Sequence, residues 1–426
     1  MANRIQEKIR SWSRLDNAAK IFPPTSHGGD TGVFRLSCEL AQPVRPELLQ
    51  SALDETMQEF PHMGMALRRG VFWYYLEQSG QRPLVVPETQ PPCAQLYTGS
   101  RSALFQVSWW NHKINLDIFH VLTDGVGAVA FLQELVTRYL ALCYPQICTV
   151  SPLGSSAAAR QEDGFDKYYQ PHKGHYSKQK RAYQIRGEKN LAPQLTILEG
   201  VADVGKVLAA AHRYNTTLTV YLCAVLLQAI REGMTLQEQK RPVVLTVPVD
   251  LRSYFKTDTA RNFFGIIRVS YDFHSQSGTF EDMVLAVSRQ FKEQLTAERL
   301  AERMNALAAL EKNVLLRGVP LFLKNFVLRL SGTISAMGET ATISNIGRVR
   351  LPSACVPYVK GFGVFMSTHC TQLCTCTFES SIHMGFTSAL YSSELQRRFF
   401  QRLLQDGVDL EVRSNDFYAS SQEKEV

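Results

Sequence analysis

Between residues 103 and 143 the apolar period of the chain changes abruptly, and that change limits the folds open to it. The runs 103–110 and 114–119 have the composition of strands, and Asn111-His112-Lys113 between them reads as a hairpin turn. From Gly125 onward the pattern becomes helical, with Val126, Val129, Leu132, Leu135 and Val136 returning on one face as far as Cys143. A strand pair that feeds straight into an apolar helix needs a layer of sheet with helix packed on it, so the fold class is α/β.

The rest of the chain repeats this mixture. Strands are expected at 32–40 and 72–76, and a helix at 46–60 opened by Pro46, whose fixed φ suits a first turn. Residues 151–190 break the pattern with small residues at 154–159. A basic run follows, His172, Lys173, His175, Lys178, Lys180 and Arg181, with Tyr168, Tyr169 and Tyr176 interleaved. This is the expected crossover, and a solvated loop is preferred there over a phosphate site. Beyond it, helices are expected at 202–214 and 218–231, the second buried on most sides. Strands are expected at 243–249, 266–273, 341–344, 361–367, 373–378 and 381–390, with helices over 280–330 and 393–404. The division is an N-terminal lobe at 1–170, a linker at 171–190 and a C-terminal lobe at 191–426.

Composition sets outer limits. The 426 residues are 45% hydrophobic and 20% charged, enough to bury a large core. A net charge of +7 suits an anionic small substrate and does not call for nucleic acid. The nine cysteines are scattered in apolar runs and read as reduced core residues of a cytoplasmic protein. Cys370, Cys374 and Cys376, near His369 and His383, lack zinc-type spacing. Cys374, Cys376 and Phe378 alternate as a core-facing strand would, so no metal is assigned. No apolar run reaches the roughly 20 residues of a membrane span. The stretch 314–330 comes closest, is interrupted by Arg317, Lys324 and Arg329, and reads as a packed amphipathic helix.

The joint between strand and helix carries the chemistry. His120 ends the strand, where its imidazole can be held in one orientation, and Asp124 stands at the helix start, where a carboxylate caps backbone amides. Gly125 is expected to let the chain bend tightly. Arg252, at the end of Pro248-Val249-Asp250-Leu251-Arg252, is the counter-charge a buried Asp124 needs. Asn262, in Asn262-Phe263-Phe264-Gly265, and Ser344 and Asn345, in Ser344-Asn345-Ile346-Gly347, place small polar donors at strand ends. A buried histidine beside an ordinary capping aspartate is the plain structural reading of the same residues.

Taken in order, these four segments resemble the coenzyme A-dependent acyltransferase superfamily. Its members include chloramphenicol acetyltransferase, the plant BAHD enzymes, alcohol acetyltransferases and the condensation domains of peptide synthetases. The spacing looks most like the bacterial alcohol acetyltransferase-like and condensation-like branch, from Leu15-Asp16-Asn17-Ala18-Ala19 to the strands near residue 390. The resemblance implies two chloramphenicol-acetyltransferase-like lobes with a tunnel between them. It implies His120 as general base, Asp124 and Gly125 as its motif partners, and Asp124 turned away to pair with Arg252. Apart from the resemblance, Asn262, Ser344, Asn345 and the Gly125 amide are candidate donors for substrate or oxyanion. Acyl-coenzyme A is the implied co-substrate, with no permanently bound cofactor, and a small alcohol or amine is the acceptor.

Two features depart from the family. Phe119-His120 replaces the paired histidines usual in condensation domains, and the plant Asp-Phe-Gly-Trp-Gly motif is absent. A carrier-protein-dependent condensation enzyme and a non-catalytic protein that keeps the tunnel are the alternative readings.

Overall fold

The structure is a computed structural model that describes residues 12–26, 29–100, 102–170, 181–190, 194–312 and 317–415. Its first seven strands are β1 (Trp12–Arg14), β2 (Val33–Leu40), β3 (Met65–Arg69), β4 (Tyr74–Gln78), β5 (Val86–Pro87), β6 (Phe105–Trp110) and β7 (Lys113–Phe119). The next four are β8 (Thr196–Asp203), β9 (Val243–Asp250), β10 (Phe264–Tyr271) and β11 (Ala341–Val349). The last four are β12 (Val359–Met366), β13 (Thr371–Phe378), β14 (Ser381–Ser388) and β15 (Leu410–Ser414). The expected strand at 72–76 is one arm of a hairpin, β3–β4.

Three sheets result. A five-stranded sheet runs β12-β2-β7-β6-β5, a seven-stranded sheet runs β10-β9-β11-β13-β14-β8-β15, and a small one runs β1-β4-β3. The chain order at 171–190 does not keep the two large sheets separate. Strand β12 lies within 191–426, yet it closes the N-terminal sheet, with Phe362 opposite Cys38, Val364 opposite Leu36 and Met366 opposite Phe34. Of the expected crossover, 171–180 lies outside the described residues, and with it most of the basic run. Residues after it are anchored, Ala182 N donating to Met337 O and Tyr183 N to Pro242 O.

Local chemistry starts the helices. Asp124 caps Gly125–Cys143, Asp203 caps Val204–Arg213, Thr217 caps Leu218–Arg231 and Thr279 caps Phe280–Gln294, each accepting from an amide of the first turn. Pro46 opens Pro46–Glu59. By length and composition Gly125–Cys143 is apolar enough to cross a membrane. It lies instead in the core, with Phe131, Leu132 and Leu135 buried.

The two cores meet across the seven-stranded sheet, where β8, β11 and β13 each send side chains into both. On β13, Cys374, Cys376 and Phe378 face the first core with β2, β7 and the helix Gly125–Cys143. Leu373 of the same strand faces the second core, with β9, β10 and the largely buried helix Leu218–Arg231. Strand alternation therefore puts the shared cysteine face where the sequence reading expected it. Phe362 of β12 meets Phe378 edge to face at 5.1 Å, which ties the exchanged strand to β13. Phe362→Ala should cost about 3–5 kcal/mol of stability, as core Phe truncations do. Urea denaturation checks it, and an unchanged midpoint would mean that β12 packing is dispensable.

Candidate active site

His120 follows the last residue of β7, and its amide N–H donates to Gly32 O at 2.9 Å. The chain turns through Val121, Leu122 and Thr123 to Asp124, whose φ of −93° and ψ of −178° lie outside the helix it caps. This turn is pinned from the other sheet. Thr123 Oγ1 donates to Ala260 O at 2.5 Å, and Phe263 N donates to Asp124 Oδ2 at 2.8 Å. Segment 259–263 leads into β10, so these bonds cross from one large sheet to the other.

Asp124 is saturated by its partners. Oδ1 accepts from Gly127 N at 3.0 Å, while Arg252 brings Nη1 to 2.9 Å of Oδ2 and Nη2 to 3.2 Å of Oδ1. Arg252 is itself held by Thr259 O, Arg261 O and Asp250 Oδ1. The two side chains are 6% and 11% exposed, so the ion pair is shielded from water. Asp124 makes no bond to the imidazole. Its role here is to fasten the turn.

The imidazole is held by a different residue. Asn262 Nδ2 lies 3.0 Å from the His120 carbonyl oxygen and 3.3 Å from Asp16 Oδ2. A carbonyl can only accept, so the amide nitrogen belongs on that side and Oδ1 faces the ring. His120 Nδ1 is 3.0 Å from that oxygen and must carry the proton. In the neutral ring Nε2 is left with a lone pair. Rings of Phe22, Phe34 and Phe264 enclose the imidazole, Phe22 stacked at 4.4 Å and 12°. Burial holds the His120 pKa below the usual imidazole value, against the opposing charge of Asp124. Behind Asn262, Asp16 is fully buried. Burial raises its pKa to about 6 despite Arg261, whose Nη2 stands 3.6 Å away.

The other expected donors fare differently. Both ends of the Asn262 amide are engaged, so it holds the histidine instead of offering a hydrogen bond to an oxyanion. Asn345 spends Nδ2 on Thr219 Oγ1 and Oδ1 on Gly347 N, at a bulge in β11. Ser344 lies on the same strand, opposite Cys374 in the register with β13. Gly125 does not take a left-handed φ and does not make a tight bend. It is the first helical residue, and a Cβ there would meet Ile346 Cδ1 at 2.4 Å. Gly127 matters more, since a Cβ would come within 2.1 Å of Ala260 O, the backbone that pins the turn.

Sequence reasoning named Asp16 within Leu15-Asp16-Asn17-Ala18-Ala19 but gave it no role, and it passed over Phe22 and Gly127. Asp16 and Phe22 sit about 100 residues from the motif in a segment without periodicity. The Gly125-Val126-Gly127 spacing was the one available signal for close approach. Among the described residues no group of three or more metal-binding side chains forms. A depression of about 430 Å³ lies along Phe280–Gln294, and a void of about 10 Å³ is lined by Leu36, Val129, Leu132, Val349, Phe362 and Cys376. His120, 9% exposed, borders neither.

Comparison with known proteins gives the fold a family setting. The family described as phthiocerol/phthiodiolone dimycocerosyl transferase C-terminus matches residues 202–358. F. graminearum TRI101, solved with coenzyme A and T-2 mycotoxin, is similar with a TM-score of 0.63 at 10% identity, over 91% of this chain and 96% of its own. Polyketide synthase associated protein 5 from Mycobacterium tuberculosis gives 0.59 at 12%, over 92% and 96%. The first condensation domain of the calcium-dependent antibiotic synthetase gives 0.59 at 15%, over 94% and 96%. The chain has the two-lobed fold of the coenzyme A-dependent acyltransferases and condensation domains. No curated protein matches it in sequence.

A pair buried this way has a mutational signature. Asp124→Asn and Arg252→Met should each cost about 3–5 kcal/mol, because each leaves its partner uncompensated. The double variant should lose less than the sum of the two. Additive losses in a thermal or denaturant cycle would show that the pair does not act as a unit.

Proposed function

We propose that this protein is an acyltransferase that moves an acyl group from a coenzyme A thioester to a hydroxyl or amine acceptor, with His120 as general base. The observation that carries the reading is the imidazole itself. It is neutral, its Nδ1 proton is committed to Asn262, and no described residue hydrogen-bonds Nε2. A lone pair presented in this way is what proton abstraction requires.

The steps follow. Nε2 takes the acceptor proton as the acceptor oxygen or nitrogen attacks the thioester carbonyl. The tetrahedral oxyanion collapses with cleavage of the C–S bond, and the imidazolium returns the proton to the thiolate. The Gly125 amide, at a helix start where N–H groups lack intrahelical partners, and Ser344 are the remaining candidates to meet the oxyanion. Substrates would reach the imidazole through the tunnel that the resemblance implies. The structural similarity to TRI101, which was solved with coenzyme A, supports a coenzyme A donor. Similarity to a condensation domain favours a second reading, in which a carrier protein presents the acyl group.

His120→Ala should lower thiol release from acyl-coenzyme A by about 10²–10⁴-fold, the usual worth of such a proton transfer. The melting temperature should be kept. In the wild type, kcat/KM should fall on the acid side with a midpoint below pH 6.5, since burial depresses the imidazole pKa. A His120→Ala variant within a few-fold of wild type would remove this mechanism. Transfer seen only from an acylated carrier, followed by whole-protein mass, would select the second reading.

A further inference from the structure

One carboxylate outside the sequence motif reaches the imidazole from two sides. Asp16 lies between β1 and the short turn Ala18–Ile21, and it is fully buried. Its Oδ1 accepts from Ala19 N at 2.8 Å and so ties down the start of that turn. The turn runs straight into Phe22–Thr25, and Phe22 is the ring stacked on His120. Its Oδ2 accepts from Asn262 Nδ2 at 3.3 Å, and Asn262 Oδ1 meets His120 Nδ1 at 3.0 Å. Asp16 therefore stands behind both the stacking contact and the hydrogen bond that hold the ring.

The second of these arms decides which way the Asn262 amide points. An amide can present either its oxygen or its nitrogen to the ring. Two oxygens lie on the nitrogen side here, Asp16 Oδ2 and the His120 carbonyl. An ionised carboxylate only accepts, so it rejects the reversed amide, whose oxygen would face it. The carbonyl of His120 also draws the Nδ1 proton. That carbonyl is held by the same Asn262 nitrogen, so both acceptors of the proton depend on one amide orientation.

The charges around Asp16 are few. Arg261 Nη2 stands 3.6 Å from Oδ2 and donates to Arg14 O at 2.7 Å. The shorter contacts of Asp16 go to Ala19 and Asn262, so pairing with Arg261 is not what aims the carboxylate. Burial raises the Asp16 pKa to about 6, with Arg261 opposing the rise and Asp163 adding to it. His62, which feels the charge of Arg261, does not titrate in that range, because burial, Arg261 and Arg160 hold its pKa at about 3. Asp16 is thus the group behind Asn262 that changes charge near pH 6.

We propose that ionised Asp16 is a positioning residue for His120, which orients the Asn262 amide, anchors the turn carrying Phe22, and so fixes the imidazole with Nε2 open. It touches no reacting atom. Its consequence for turnover rests on the acyltransferase reading, whereas its hold on the ring does not.

The first test is therefore independent of activity. Nitrogen NMR is recorded on the full chain labelled at histidine, at about pH 8, where a carboxyl of raised pKa is still ionised. His120 is assigned by its loss in His120→Ala. Wild type should show a protonated Nδ1 and a bare Nε2. In Asp16→Asn, whose amide can accept or donate, both nitrogens should move toward values averaged over the two tautomers. An unchanged pattern overturns the proposal, and so does a wild type with its proton on Nε2. Removal of the charge strands Arg261, so Asp16→Asn with Arg261→Met serves if the single variant does not fold.

The second test reads turnover. Asp16→Asn should lower kcat by about tenfold with little change in KM, the usual effect of losing one hydrogen bond to a charged group. The drop should be smaller in an Asn262→Ala background, where the amide that transmits it is gone. The wild-type profile of kcat against pH should carry a shoulder near pH 6 that Asp16→Asn removes. Equal drops in both backgrounds, or a shoulder that survives Asp16→Asn, would place Asp16 outside the chain of contacts and overturn the proposal. A wild type without thioester turnover would refute the acyltransferase reading alone, since the NMR comparison still decides whether Asp16 sets the ring.

Discussion

The carboxylate of Asp124 is the fixed point of the structure around His120. It receives hydrogen bonds from its own helix at Gly127, from the strand entrance at Phe263, and from two nitrogens of Arg252. The helix start at 124–127 and the segment 252–263, far apart in sequence, are thereby held to one side chain. Such a carboxylate is tolerated in a dry site because every lone pair direction is met. The geometry of the imidazole is a consequence of this fastening. With the turn and segment 259–263 locked together, Asn262 falls beside Nδ1 and the choice of tautomer follows.

A division of labour results. Asp124 carries charge but does not touch the histidine, whereas Asn262 touches the histidine but carries no charge. A neutral amide fixes the direction of the Nδ1 proton without adding the large upward pull on the imidazole pKa that a contacting carboxylate would exert. The aromatic walls act in the opposite sense and keep the ring neutral. Asp16 stands behind the amide at one remove, accepting from Asn262 Nδ2.

Much of this was legible from the residues. The change of period at 120–125 located the turn, and the need of a buried carboxylate for a cation pointed to Arg252. Alternation at Cys374, Cys376 and Phe378 gave the correct face. Other features were not legible, for physical reasons. Periodicity describes side chains on regular elements, and Asn262 precedes its strand, so its amide direction depends on tertiary contacts. The apolar stripe of 314–330 was visible, but a stripe does not say which side is inside. That was decided by polar groups of Lys324, Asn325 and Arg329 finding acceptors on neighbouring segments. The sheet membership of β12 was hidden because nothing local distinguishes a strand that pairs nearby from one that pairs with a partner more than 300 residues earlier.

That long-range pairing has a kinetic implication. While the chain is being synthesised, β2 has β7 on one side as soon as residue 119 emerges, but its other edge has no partner until residues 359–366 appear. At ribosomal rates of about 5–20 residues per second, an unpaired, apolar strand edge persists for roughly ten seconds or longer. An edge of that kind is a template for pairing with another chain. The nascent first half is therefore the stage at which this protein is most open to aggregation and most in need of a chaperone. Truncations that end before residue 359 would leave that edge open permanently.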